Sequence, residues 1–167
     1  MFMEKRLSIF LISFFLTLLS CVAISQDKFN ELDEIEVTAT RLDSTLLRSS
    51  RSVSVVGKDE IQNATQLLAM DEVLAGIPGL YMQNRYNFSQ DLRVSLRGFG
   101  ARSAFGIRGI KVIADGIPET LPDGQAGVDS IDLGSASRIE VIRGPSSSNF
   151  GNASGGVIAI ETETGTD

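Results

Sequence analysis

The 167-residue chain has no histidine and a single cysteine, Cys21, which lies in its first apolar stretch. Beyond residue 25 there is neither a thiol nor an imidazole. That excludes thiol nucleophiles, Ser–His–Asp triads and the usual zinc sites. It also excludes disulfides, so packing alone must hold the exported part together. Basic runs are missing as well: the formal net charge is −6, and Lys and Arg are scattered. A domain of this charge is a poor match for a phosphate backbone, and no nucleic-acid partner is expected. No apolar run reaches the roughly 20 residues that a spanning helix needs. The longest, residues 7–19, follows Lys5 and Arg6 and precedes the small residues Ala23 and Ser25. A positive start, an apolar centre and small residues at cleavage spacing read as a secretory signal peptide over residues 1–25, with Gln26 as the new terminus. A membrane anchor and a lipoprotein acylated at Cys21 are the two alternatives. Removing Glu4, Lys5 and Arg6 leaves the remainder more acidic still.

Catalytic patterns are equally scarce. Gly98-Phe99-Gly100-Ala101-Arg102-Ser103 begins like a dinucleotide fingerprint but lacks the third glycine and a following helix pattern. No phosphate-loop lysine follows the glycines. The pairs Asp115/Asp123 and Asp129/Asp132 have the chemistry for a metal or for acid–base work, but aspartate in turns is the commoner explanation. We expect no catalytic residues, no cofactor and no bound metal.

What the chain does have is glycine, unevenly placed. Twelve of its sixteen glycines fall between residues 93 and 156, punctuating short alternating segments. Val94 and Leu96 point one way while Arg93, Ser95 and Arg97 point the other; Ile139 and Val141 alternate with Arg138 and Glu140 in the same manner. Such alternation marks half-buried strands. Three segments end in the pair Arg-Gly, at 97–98, 108–109 and 143–144, which places a fixed cation where the backbone can turn sharply.

In chain order, residues 26–33 read as a flexible polar leader and 34–40 as a short strand-forming segment. Residues 41–51 read as loop and 52–56 as a strand. Asp59 is placed to cap a helical turn through Asn63, and Thr65 to cap a helix that Gly76 and Pro78 terminate. Strands follow at 80–82, 93–97 and 110–114, the last ending in the tight-turn pair Asp115-Gly116. Between them, residues 99–105 are expected as a mobile loop and 118–128 as a long polar excursion. Residues 131–133 read as an edge segment, 138–143 as a strand, and Pro145 as the first position of a helical turn. Residues 157–164 complete the set. No long-period repeat is visible. The fold class is α+β, a small mixed β-sheet with short interspersed helices and long polar loops.

At this point the residues resemble the N-terminal plug domain of TonB-dependent outer-membrane receptors. The resemblance is carried by Asp71-Glu72-Val73-Leu74 with Ile77-Pro78-Gly79-Leu80, by Leu96-Arg97-Gly98-Phe99-Gly100, and by Asp115-Gly116-Ile117-Pro118. The run Arg138-Ile139-Glu140-Val141-Ile142-Arg143-Gly144-Pro145 continues it, and Phe150-Gly151-Asn152 with Gly155-Gly156-Val157-Ile158 completes it. Residues 105–125 are most similar to the ferric-chelate type of receptor. The implied organisation is a signal peptide over 1–25, a leader with a TonB-box-like segment over 26–40, a plug over 41–162, and the start of a barrel at 163–167.

The resemblance implies a gating role in active uptake of a ligand, with a ferric chelate as cargo, inside a 22-stranded barrel that this chain is too short to form. The implied location is the outer membrane, or the periplasm if the chain ends at 167. The implied partner is a TonB-type energy-coupling protein. Glu34, Ile35, Glu36, Val37, Thr38 and Ala39 would bind it by adding a strand to its sheet. A second reading keeps this segment as the first strand of the plug's own sheet. Arg97 and Arg143 match family arginines that pair with barrel glutamates and lock the plug in place, with Glu140 bracing one of them internally; ordinary surface ion pairing is the plainer alternative. Arg102, Arg108 and Gln125 lie in loops that face ligand in the family, where the plainer reading is a solvated loop residue. A stand-alone periplasmic adaptor that engages the same partner without transport is the competing function.

Overall fold

The computed structural model describes residues 36–37, 44–45 and 49–165, apart from 65 and 88. The signal-peptide and leader regions, Cys21 and the expected Thr65 cap all lie outside these. Among the described residues the strands are β1 Glu36–Val37, β2 Ser44–Thr45, β3 Ser52–Gly57, β4 Leu80–Gln83, β5 Arg93–Leu96 and β6 Ile107–Arg108. β7 Ile110–Ala114, β8 Ile117–Pro118, β9 Gln125–Ala126, β10 Ala136–Arg143 and β11 Gly156–Thr162 follow. The helices are short: α1 Lys58–Gln62, α2 Met70–Leu74 and α3 Ser147–Phe150.

The five-stranded sheet runs in the order β3-β10-β11-β7-β8. β10 pairs antiparallel with both β3 and β11, and β11 pairs parallel with β7. This mixed sheet is covered on both faces, as the side-chain alternation requires. Odd-numbered Ile139 and Val141 join Ile158, Ile160 and Val112 in the main core, beneath α1, α2 and the β4–β5 ribbon. Even-numbered Ile142 turns the other way, to Val157, Ile113, Phe150 and Ala153 under α3. Ile139, Ile142 and Ile158 are completely buried, and each contributes about 1.5–3 kcal/mol of hydrophobic stabilisation.

Turns behave largely as their residues demand. Asp115 and Gly116 both have positive φ, 47° and 79°, and close the β7–β8 hairpin with the primed geometry that matches strand twist. The Asp115 carboxylate also accepts from the Thr162 N–H at 2.7 Å and the Thr162 hydroxyl at 2.9 Å, fastening the end of β11 to that turn.

The structure departs from expectation in several places, among them the helix expected from Thr65 to Gly76, which is helical only over Met70–Leu74, and the expected 118–128 excursion, which contains β9. Residues 41–51 were read as loop, but Ser44 and Thr45 form β2, with Glu36 opposite Thr45 and Val37 opposite Ser44; of the expected 34–40 strand, 34–35 and 38–40 lie outside the described residues. Residues 131–133 do not make an edge strand: Asp132 accepts from the Gly134 N–H at 3.0 Å and caps a 3-10 turn over Leu133–Ser135. Pro145 was expected at the first position of a helical turn, but α3 starts two residues later at Ser147, with Ser146 at its N-cap and the Ser146 N–H donating to the Ala153 carbonyl at 2.9 Å. Gly57, rather than Asp59, precedes α1, leaving Asp59 in its first turn.

Gly156 joins the β4–β5 ribbon to the sheet. Its φ is +150°, and a Cβ there would collide with the Ile142 carbonyl oxygen and meet Leu96 Cδ2 at 2.6 Å. The absent side chain is what allows Leu96 to lie on β11. Gly156→Ala should therefore cost about 3 kcal/mol or more, from backbone strain and displacement of Leu96 together. Chemical denaturation of the variant beside the wild type measures this.

Candidate functional site

Arg97 directly follows β5 and Arg143 ends β10, far apart in sequence, and the ribbon's seat on Gly156 brings them to one patch. Arg97 has a φ of 50°, and its N–H bonds the Gly79 carbonyl at 2.8 Å. Its aliphatic stem lies over Gly79 and its guanidinium reaches towards Gly144. Arg143 Nη1 donates to the Pro78 carbonyl at 3.2 Å, while its Nε is buried without a hydrogen-bond partner. Among the described residues neither guanidinium has a carboxylate partner. Two cations therefore converge on the Pro78–Gly79 turn with donor capacity to spare.

Glu140 does not belong to this patch. It lies three residues before Arg143 on one strand, so the two side chains point to opposite faces of the sheet. Its close partner is Arg138, on its own face, with Nη2 2.6 Å from Oε1. The contact is close without hydrogen-bond alignment, since that Nη2 has no properly directed acceptor. Glu140 is 1% exposed, and a carboxylate so buried requires such a cation. Glu140 was expected to brace Arg97 or Arg143; strand parity sets it on the face opposite Arg143, and its ion pair is with Arg138 instead.

Of the candidate loop residues, two are brought together. Arg108 stands opposite Gln125 in the β6–β9 ladder, and its Nη2 donates to Gln125 Oε1 at 3.3 Å. Asp123 Oδ2 lies 3.9 Å from the same nitrogen. Both charged partners are more than half exposed, so this pair adds little stability. Arg102 is exposed in the preceding run of turns and does not join them. Phe105 and Leu121, exposed beside them, were not singled out from sequence. The 119–126 loop is held from behind by Asn152, whose amide donates to the Pro122 carbonyl at 3.0 Å.

Of the residues expected to bind an energy-coupling partner, Glu36 and Val37 form β1, and Val37 is fully buried. Glu34, Ile35, Thr38 and Ala39 lie outside the described residues.

Sequence reasoning also missed a cavity of about 380 Å³ lined by Gln66, Leu68, Asp71, Glu72, Arg85 and Tyr86. Asp71 on α2 is buried and accepts from Arg85 Nε at 2.6 Å. The Asp71–Arg85 separation of fourteen residues, across an intervening strand, offers no local signal. Glu72 accepts from the N–H groups of Gln66, Leu67 and Leu68.

The family model for the TonB-dependent receptor plug domain matches residues 45–157. The chain belongs to this family. The vitamin B12 transporter BtuB of Vibrio vulnificus is 28% identical over 161 residues, which is 96% of this chain and 25% of the transporter. The hemin receptor of Yersinia enterocolitica is 34% identical over 138 residues, 81% of this chain and 19% of the receptor. The ferric yersiniabactin uptake receptor FyuA of Yersinia pestis superposes with a TM-score of 0.56 at 27% identity, covering 70% of this chain and 17% of that receptor. FpvA of P. aeruginosa, solved with heterologous pyoverdines, gives 0.58 at 25% identity, covering 77% and 16%. The plug chain thus spans a quarter or less of the length of these relatives.

The plug's acidic turns generate a pH prediction. Hydrogen bonding, led by the Gln66 N–H, lowers the Glu72 carboxyl below its usual 4.5. A depressed carboxylate contributes stability that is present above 4.5 and is lost as pH falls through the lowered value. Glu72→Gln should therefore be less stable than the wild type at neutral pH, with the gap closing under acid. Paired denaturation curves from pH 7 to pH 3 check it, and a pH-independent gap would remove the charge from the explanation.

Proposed function

We propose that this plug gates an outer-membrane receptor for active uptake, with a ferric chelate as cargo and a TonB-type protein as the source of energy. The observation that carries this reading is the patch where Arg97 and Arg143 converge with no carboxylate of the described residues to neutralise them. A surrounding barrel wall supplies the missing acidic groups: two bidentate arginine–carboxylate contacts would lock the plug yet stay breakable in a wet lumen. Residues 34–39 would engage the energy-coupling partner by strand addition. The loops carrying Arg102, Arg108 and Gln125 would face the cargo, where cationic and amide donors suit an anionic chelate. The hemin, yersiniabactin and pyoverdine receptors among its relatives favour an iron-bearing cargo, and the vitamin B12 transporter marks the breadth of the family.

Two measurements test the reading. Val37→Pro removes a main-chain donor and forbids a regular ladder, so it should abolish capture of the plug by the periplasmic domain of TonB. Undiminished capture would overturn strand addition. Arg97→Gln should shift the stability of the chain by no more than about 0.5 kcal/mol, as befits an exposed group whose partner lies elsewhere. A loss above about 2 kcal/mol would place its partner within the chain and end the locking role.

A further inference from the structure

The cavity beside α2 shares no residue with the arginine patch or with the Arg108–Gln125 loops. Its volume of about 380 Å³ falls at the lower end of the roughly 300–1,000 Å³ of small-molecule sites. Its walls divide by chemistry. The Asp71 side chain is only 5% exposed, and one of its oxygens is engaged: Oδ2 accepts from Arg85 Nε at 2.6 Å. Oδ1 is buried and has no hydrogen-bond partner. An acceptor withdrawn from water and left unpaired is costly, and a donor brought to it removes that cost. Arg85 is held through Nε alone, so neither Nη has an acceptor among the described residues. The guanidinium carbon stands 6.0 Å from the centre of the Tyr86 ring, at the outer limit of cation–π contact. That ring and the Leu68 side chain, both in the lining, are largely exposed. An unused acceptor, unused planar donors and two uncovered apolar surfaces thus border one space.

We propose that this cavity is a binding site for a neutral amide-type group, a planar unit with an N–H donor beside a C=O acceptor. The guest N–H donates to Asp71 Oδ1, its carbonyl accepts from an Arg85 Nη, and its apolar remainder lies against Tyr86 and Leu68. Charge selects this class over its neighbours. A carboxylate guest brings no donor to Asp71 and meets Glu72 as a second negative charge in the lining. A cationic guest satisfies Asp71 but meets Arg85, which already neutralises that carboxylate. Glu72 itself is committed: it accepts from the N–H groups of Gln66, Leu67 and Leu68 and so holds that wall in shape. Glutamine or asparagine side chains of a polypeptide and small molecules with a free amide share this chemistry.

The test titrates the full nitrogen-15-labelled chain with three aryl probes of similar size: benzamide, benzoate and benzylammonium. NMR reads the Arg85 Nε–H and the backbone amides of residues 66–72 and 85–86. Benzamide is expected to give saturable shifts there, and the two charged probes to bind at least about tenfold more weakly. Equal binding of all three would reduce the cavity to an apolar groove and overturn the proposal, as would the absence of a saturable shift with benzamide. Tyr86→Ala removes an exposed ring, so it is expected to leave thermal melting unchanged and to weaken benzamide about fivefold. Arg85→Lys keeps a cation beside Asp71 but loses the planar fork, and is expected to weaken benzamide about tenfold at the backbone amides. Undiminished binding to either variant would place the probe elsewhere and overturn the assignment. Should Arg85→Lys fail to fold, the probe series and Tyr86→Ala still decide. A glutamine-bearing tetrapeptide tells the sources apart: tighter binding than benzamide supports the site with a polypeptide guest, and weaker binding supports it with a small molecule.

Discussion

The ladder between β10 and β11 is the constraint on which the other parts depend. It pairs Arg138 with Glu161 and continues through Arg143 with Gly156, past one irregularity near Ala136. Both strands are buried on both faces, so their alternation decides what each side of the domain becomes. One face takes the main core with its helices and ribbon, and the other takes α3. At the Gly156 end the ladder has no side chain on one strand, and Leu96 occupies the vacancy. That contact carries the β4–β5 ribbon to its place and delivers Arg97 beside Arg143. A shift of one residue in this register would invert both faces and scatter the arginines.

Much of this was legible because it is written in period-two alternation and in turn chemistry. Ile139 and Val141 against Arg138 and Glu140 revealed β10, and Asp115-Gly116 announced the hairpin that closes on β8. The Arg-Gly pairs marked where strands end to within a residue, but nothing in the sequence said that two of them would meet at the Pro78–Gly79 turn. The same alternation, carried one step further, would have separated Glu140 from Arg143: positions three apart on a strand face opposite ways. The sequence pattern contained that fact; the resemblance drew attention elsewhere.

The rest was not legible for reasons of distance or competition. Asp71 and Arg85 meet across an intervening strand, and nothing local links them. Residues 131–133 carried two apolar side chains at strand spacing, yet the Asp132 carboxylate found the Gly134 N–H and turned the chain there. Side chains of this kind compete with ladder formation by offering the backbone an alternative partner. At the N-terminal side of α2 the backbone departs from regular geometry, with Leu67 at a φ of 55°. Glu72 makes this tolerable by accepting three successive N–H groups, a role that no capping pattern in the sequence announces.

The acidity of the chain now has a structural reading that differs from its first one. Taken as composition, an excess of carboxylates excluded nucleic acid and said little else. In the fold, many of them replace missing cross-links. Asp115 ties the end of β11 to the β7–β8 turn, Asp123 accepts from the Gln125 N–H, and Asp129 reaches from the segment after β9 to the Leu92 N–H. With Glu72 and Asp132, these are carboxylates aimed at backbone donors in turns and strand ends, where a domain without disulfides most needs restraint. Their settings differ in sign. Burial, aided by the neighbouring Asp91, pushes the Asp129 carboxyl up, whereas open hydrogen bonding pulls Glu72 down. Acid therefore acts unevenly on the plug: it weakens the turn before α2 while relieving the strain between Asp91 and Asp129. The sheet is thus held by packing, while the turns and strand ends around it are held one at a time by carboxylates that differ in their response to acid.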